Sequence, residues 1–157
     1  MTTQDFSNEL ERALARPDVD QLKRILIVYH DWSARMDAPG SMDDDYPDEI
    51  NLWFDSREEP DRGLALVMLA AASYDEPEFL GVVAAGLLED LLVHDSQCDD
   101  AFFRRILEEA QKTARFRWML SGVWTYSAEP TRAAALKEAV GETLMDEGYP
   151  LPPRPTE

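Results

Sequence analysis

The chain has 157 residues, 45% of them hydrophobic, so we expect one folded domain with an apolar core and exclude wholesale disorder. Its 32 Asp and Glu outnumber its 15 Lys and Arg, and the resulting net charge of −17 disfavours nucleic acid and anionic membranes as partners. A single cysteine, Cys98, excludes an intrachain disulfide, and residues 1–14 lack a signal-peptide pattern. We therefore expect a cytoplasmic protein.

Two helices are predicted before the first long loop. Apolar residues at helical spacing from Phe6 to Leu14 predict a helix that ends at Pro17. Asp18 is placed to cap a second helix, with Gln21 three residues later, as in a capping box. The apolar stripe of this second helix comprises Leu22, Ile25, Leu26, Tyr29 and Met36, widened by Val28 and Trp32.

Prolines mark the next elements. Residues 38–47 form a loop by composition, and Pro47 precedes a short predicted helix. One face of that helix carries Ile50, Trp53 and Phe54. Pro60 opens another helix, in which residues 64–72 are apolar on every side, so we expect it to be central and buried.

The clearest helical pattern begins at Pro77. Its apolar positions follow the spacing of one helix face: Leu80, Val83, Ala84, Leu87, Leu88, Leu91 and Leu92. Gly81, Ala85 and Gly86 are small enough for a neighbouring helix to approach closely. Ser96 is predicted to cap the following helix, with Asp99 three residues on.

The last third of the chain contains two apolar stripes, each of which predicts a helix, followed by a predicted final helix and an extended end. Phe102, Phe103, Ile106, Leu107 and Ala110 form the first stripe, and Phe116, Met119, Leu120, Val123 and Trp124 form the second. We predict a break near Thr113, because the second stripe is rotated relative to the first. A helix from Pro130 presents Ala133, Leu136, Val140 and Leu144 inward and stops at Gly148. Residues 150–157 are too rich in proline to be helical.

These patterns predict an all-α protein. About seven helices joined by short loops indicate an antiparallel helical array, loosely like paired-helix repeats. Residues 1–149 form a single domain on this interpretation, and residues 150–157 form a proline-rich extended tail. The tail contains two overlapping Pro-x-x-Pro patterns around Arg154, which suit an aromatic groove, although a plain extended end is the simpler expectation.

Two motifs carry a family resemblance. The stretches 86–92 (GLLEDLL) and 116–124 (FRWMLSGVW), with Trp53 and the stretch from Pro60, resemble an uncharacterised bacterial domain family of unknown function over about residues 53–124. That family has Gly-Pro-Leu-Glu where this chain has Gly-Leu-Leu-Glu at 86–89. The resemblance implies a helical fold and no activity.

No catalytic, metal or cofactor site is predicted. The dipeptides His30-Asp31 and His94-Asp95 resemble part of a phosphohydrolase metal core, but the chain has only two histidines, too few for the full set. Cys98 precedes two aspartates, which disfavour the thiolate of a nucleophile. The chain has no P-loop, nucleophile elbow or dinucleotide fingerprint, and residues 43–49 lack the ligand pattern of a calcium loop.

One weak enzymatic alternative remains. Asp90 and His94 are four residues apart on one helix face, a spacing that suits a metal, and Glu89 lies beside them. Adjacent helical carboxylates diverge by about 100°, so Glu89 and Asp90 do not easily share a substrate. An ion pair of one of them with Arg115 or Arg117 is the structural alternative.

The acidic stretch 43–62 is the strongest functional signal. It holds nine Asp and Glu against Arg57 and Arg62, a net charge of −7. Such a surface steers a basic protein, so we predict a non-enzymatic protein-binding module, most concretely an immunity or inhibitor protein for a cationic toxin. The predicted partner-binding residues are Asp43, Asp44, Asp45, Asp48, Glu49, Trp53, Asp55 and Glu58. A helical scaffold or adaptor is the main alternative, and a metal-dependent hydrolase the remote one.

Overall fold

The computed structural model describes residues 7–36, 59–92, 98–123, 125 and 128–156. In these ranges the chain forms seven α-helices and no β-sheet, which confirms the all-α prediction. The helices are α1 (Asn8–Leu14), α2 (Val19–Met36), α3 (Pro60–Ser73), α4 (Pro77–Val83, continuing through a π-helical segment Ala84–Leu88 into Glu89–Leu92), α5 (Asp100–Lys112), α6 (Ala114–Leu120) and α7 (Pro130–Val140). Among the described helices, none has the length and apolarity needed to cross a bilayer.

Helix α3 lies at the centre of the fold, as its sequence predicts. Its first residue is Pro60, whose missing N–H costs nothing in the first turn of a helix. Every residue from Gly63 to Ala71 is buried, and α1, α2, α4 and α6 all pack against this helix. A helix buried on all sides has no polar face to place in water, which explains its uniform apolar sequence.

The predicted apolar face of α4 is confirmed. All seven of its predicted positions are buried, each exposed by 5% or less. The π-helical segment Ala84–Leu88 inserts into this helix, and the buried face continues through it. A Cβ atom built on Gly86 would lie 3.3 Å from the Tyr29 Oη of α2, so the small residue permits the close approach that the sequence predicts.

The predicted break between α5 and α6 is also confirmed. Thr113 ends α5 with an extended backbone and stands immediately before α6. The predicted cap of α5 was wrong, because the helix begins at Asp100 and Asp99 is its N-cap. The Asp99 carboxylate accepts a hydrogen bond from the Phe102 N–H at 2.8 Å. Ser96 lies outside the described residues.

Helix α7 ends seven residues earlier than its sequence pattern predicts. Gly141, not Gly148, stops it, with φ of 60° and ψ of −124°. The Thr143 N–H donates to the Val140 carbonyl at 3.2 Å, which closes a type II′ turn that requires positive φ at Gly141. Gly148, with φ of 77°, instead closes the short 3-10 turn Met145–Glu147.

We predict that Gly141→Ala lowers the free energy of unfolding by about 1–3 kcal/mol, because a Cβ atom is strained in this backbone conformation. Gly148→Ala is the matched comparison, because its left-handed conformation is milder and nothing lies within 4 Å of the added Cβ. Urea unfolding of both variants checks the order. A loss at Gly148 equal to or larger than that at Gly141 would contradict the assignment.

Candidate functional site

The predicted acidic interface lies outside the described residues. This applies to all eight predicted partner-binding residues, Asp43, Asp44, Asp45, Asp48, Glu49, Trp53, Asp55 and Glu58, and to the helix predicted after Pro47. The structure describes the chain up to Met36, the last residue of α2, and again from Glu59, directly before Pro60 begins α3. The whole stretch 43–62 carries a net charge of −7.

Carboxylates and arginines pair where the acidic stretch joins α3. Arg105 of α5 donates to Glu9 at 2.7 and 3.1 Å and to Asp61 at 2.5 Å. Glu9 is only 7% exposed, and its contacts raise the pKa of the Arg105 guanidinium. These bonds fasten α1 and the start of α3 to α5, so Arg105 acts as a structural tie between three helices.

A second ion-pair group surrounds Asp18. Arg16 donates to its two carboxylate oxygens at 2.8 and 3.1 Å, and Arg62 lies 3.4 Å from one of them. The hydrogen bond from Arg16 lowers the pKa of Asp18 below its usual value. One of the two bases in the acidic stretch, Arg62, is therefore engaged with α2.

A carboxylic acid is buried between α1 and α5. Glu109 is 2% exposed and accepts hydrogen bonds from the Thr113 hydroxyl, the Ser7 hydroxyl and, at 3.4 Å, the Glu9 N–H. Burial raises the pKa of Glu109, and the three hydrogen bonds oppose that rise. Ser7 also caps α1 by accepting from the Leu10 N–H, so the acid is part of the attachment of that helix.

A buried arginine joins four segments at the C-terminal end of α3. The Arg115 side chain is 5% exposed, and its Nη1 lies 2.9 Å from the Ala71 carbonyl, 2.8 Å from the Tyr74 carbonyl and 3.1 Å from the Asp75 carboxylate. Its Nε donates to the Pro152 carbonyl at 2.8 Å. Burial lowers the pKa of Arg115, and Asp75 opposes this, so the guanidinium keeps its charge.

Of the two arginines considered as partners of Glu89 or Asp90, Arg115 binds Asp75, and Arg117 donates to the Ala110 carbonyl at 2.7 Å. Glu89 and Asp90 are half-buried near the end of α4, and His94 lies outside the described residues. Within the ranges that the structure covers, no three His, Cys, Asp or Glu side chains are grouped to hold a metal.

His30, from the first of the two His-Asp dipeptides, lies in an aromatic cluster. Its Nε2 is 2.9 Å from a Glu76 carboxylate oxygen, and its ring stacks on Tyr74 with centroids 4.9 Å apart. The Phe79 ring meets it edge-on at 4.9 Å. Tyr74 and Phe79 also contact each other at 4.9 Å, so the three rings form one cluster that connects α2 to the start of α4.

Cys98 is buried at 8% exposure just before α5. Its Sγ lies 3.8 Å from the Asp99 carbonyl, and burial raises the pKa of the thiol. A buried thiol with a raised pKa is a poor nucleophile.

An apolar cavity of about 360 Å³ lies between α6 and α7. Its volume falls within the range of small-ligand pockets, and Lys137 is its charged lining residue. Its apolar walls are formed mainly by Leu120, Val123, Ala133, Leu136, Val140 and Leu144.

Sequence reasoning missed the two buried charges, although a signal for each was present. Glu109 lies three residues after Ile106 and seven after Phe102, on the apolar stripe of α5. Arg115 lies four residues before Met119, on the buried face of α6. A charged residue in register with an apolar stripe predicts a buried, partnered charge.

Comparison with known proteins identifies a family for this chain but no activity. No curated protein and no solved structure matches the chain. Residues 38–140, about two thirds of the chain, match a family described as a family of unknown function, DUF6869. This region includes the stretch 53–124 on which the sequence resemblance rests. The chain therefore belongs to the DUF6869 family, whose function is unknown.

Proposed function

We propose that this protein is a non-enzymatic module that binds a basic protein through its acidic stretch 43–62, as an immunity or inhibitor protein for a cationic toxin would. The observation that carries the proposal is the charge of that stretch, nine acids against two bases. The buried single cysteine fits a cytoplasmic setting for this role.

The internal ion pairs support this choice of surface. Arg16, Arg62, Arg105, Arg115, Arg132 and Arg154 each form an ion pair with a carboxylate within the fold. The stretch 43–62 holds nine of the chain's 32 acids within 20 residues, with Arg57 and Arg62 as its bases. A long-range field of one sign raises the association rate with a partner of the opposite sign.

The test is capture of a basic partner and its dependence on the acidic stretch. A pull-down from source-cell lysate at low salt, eluted by a salt step, supplies the candidate partner for binding kinetics. We expect the fivefold variant Asp43→Asn, Asp44→Asn, Asp45→Asn, Asp48→Asn and Glu49→Gln to bind that partner with an association rate lowered about tenfold or more at low salt. The difference should shrink as salt is added.

A charge-matched control distinguishes this stretch from overall acidity. Neutralising five exposed carboxylates elsewhere changes the net charge by the same amount, at Glu108, Glu138, Glu142, Asp146 and Glu147. We expect this control to lower the association rate much less. Equal losses in the two variants would contradict a localised recognition surface and would leave the charge as a solubility feature.

The cavity between α6 and α7 favours a second candidate, a helical scaffold. Ala134 lines the cavity and is exposed, so Ala134→Arg blocks it without enlarging the core. Loss of partner capture in Ala134→Arg, with capture unchanged in the fivefold variant, would favour the scaffold over the charge-steered inhibitor.

A further inference from the structure

Residues 149–156, here called the proline-rich segment, lie on the folded domain. They contain no helical residue, and Pro152 and Pro155 are buried while Pro150, Pro153 and Arg154 are exposed. Pro152 and Pro155 are three residues apart, the period of a polyproline II helix, and four prolines in eight residues favour that conformation. These two prolines form the face that the segment turns toward the domain.

The domain binds the segment mainly through hydrogen-bond donors that bind the segment's backbone carbonyls. The Trp118 indole N–H donates to the Tyr149 carbonyl at 2.9 Å, and the Arg115 Nε donates to the Pro152 carbonyl at 2.8 Å. These two acceptors are also three residues apart. The Ser7 N–H donates to the Thr156 carbonyl at 2.6 Å. Such an arrangement, in which an aromatic N–H and an arginine bind carbonyls three residues apart, suits recognition of an extended proline-rich chain.

One side chain adds specificity. Arg154 forms a two-pronged ion pair with Asp75, with Nε–Oδ1 at 2.9 Å and Nη2–Oδ2 at 2.7 Å. Arg115 also donates to Asp75 Oδ1 at 3.1 Å, and these contacts, led by Arg154, lower the pKa of Asp75 to about 2. The groove formed by Ser7, Asp75, Arg115 and Trp118, here called the proline groove, thus selects an arginine at a fixed place in the segment.

The bound segment is open to exchange. Tyr149 is 44% exposed and the Arg154 side chain is 47% exposed, although Thr156 at the end of the segment forms a β-bridge and accepts from the Ser7 N–H. By contrast, the groove residues Ser7, Arg115 and Trp118 are at most 4% exposed and belong to the folded helices or their caps. A fixed groove that holds an extended segment through a few hydrogen bonds and one ion pair suits competition between segments of the same chemistry.

We propose that the proline groove is a binding site for proline-rich, arginine-containing extended segments of a partner chain, and that residues 149–156 occupy it in cis until such a segment displaces them. The attached segment acts at an effective concentration on the order of millimolar, so it masks the groove from weak ligands. Loosening the segment raises the fraction of open groove and tightens the apparent affinity for a peptide in proportion.

The test uses the full chain and a fluorescent peptide with the sequence of residues 149–156, titrated by anisotropy. We expect the Arg154→Ala chain to bind this peptide about tenfold more tightly than the wild-type chain, because its own segment has lost the ion pair to Asp75. Pro153→Gly changes an exposed position and frees the unbound segment, so it should tighten binding in the same direction. Circular dichroism confirms that each chain is folded.

Two controls make the result specific. A peptide of reversed sequence has the same charge, so its binding reports attraction to the acidic protein and should be at least tenfold weaker. A peptide carrying Arg154→Ala should bind weakly to the Arg154→Ala chain, and Asp75→Asn in that chain should abolish the preference between the two peptides. Equal affinity of the peptide for the wild-type, Arg154→Ala and Pro153→Gly chains, or no binding to any of them, overturns the proposal.

Discussion

Replacing Arg115 by alanine is expected to lower the free energy of unfolding by about 2–4 kcal/mol, the cost of leaving buried backbone carbonyls without their donor and of opening a cavity. The side chain is 5% exposed, and it binds the Ala71, Tyr74 and Pro152 carbonyls as well as Asp75. Alanine leaves these buried carbonyls without their donor and opens a cavity at the junction of α3 and α6. Urea unfolding followed by circular dichroism measures the loss.

Arg115→Lys is the control that tests why this position carries arginine and not another cation. Lysine keeps the charge but has one ammonium group, which does not reach acceptors on both the Nε and the Nη1 side. We therefore expect Arg115→Lys to recover only part of the stability. Arg104→Ala, at an exposed position of α5, should change stability by about 0.5 kcal/mol or less. A loss at Arg115 no larger than that at Arg104 would show that the buried network contributes little.

The fold was largely predictable because its local signals agree. Pro60, Pro77 and Pro130 are each the first residue of a helix, where proline is favoured. The apolar stripe of α4 and the uniform apolar sequence of α3 also predict burial correctly. In these elements the sequence period, the proline at the helix start and the packing indicate the same structure.

Helix ends were less predictable, because neighbouring residues compete for the same role. Ser96 and Asp99 are both suitable N-cap residues. Because α5 begins at Asp100, Asp99 is its N-cap. The spacing of Leu136, Val140 and Leu144 continues a helical stripe past Gly141, yet the positive φ of that glycine ends α7. Leu144 still packs against the core from the turn that follows, so its apolar character does not reveal the helix end.

The buried charges were not predicted, because their partners are distant in the sequence. Arg115 and Asp75 are separated by 40 residues, and Glu109 and the Glu9 N–H by 100. A helical pattern assigns a charged residue to a face, but only the packing of other segments shows which acceptor or donor meets it. The proline-rich segment illustrates the same point, since its composition predicts extension but not the groove that holds it.

Replacing Glu109 by alanine is expected to lower the free energy of unfolding by about 2–4 kcal/mol. The change leaves the Thr113 hydroxyl and the Glu9 N–H without their acceptor in a site where Glu109 is 2% exposed. Glu109→Gln keeps the volume and one acceptor oxygen, so it should lose much less. Thermal and urea unfolding at neutral pH compare the two variants with the wild-type chain.

The pH dependence separates the charge of Glu109 from its packing. Burial raises the pKa of the folded-state acid above its usual 4.5, so folding favours the protonated form. The wild-type protein therefore loses stability as pH rises from 4.5 through the folded-state pKa, whereas Glu109→Gln has no proton to lose there. We expect the stability of Glu109→Gln relative to wild type to increase across this window and then level off. Glu108→Gln, at the exposed neighbouring position, should show no such increase. An identical pH profile for the two glutamine variants would argue against an ionised carboxylate buried between α1 and α5.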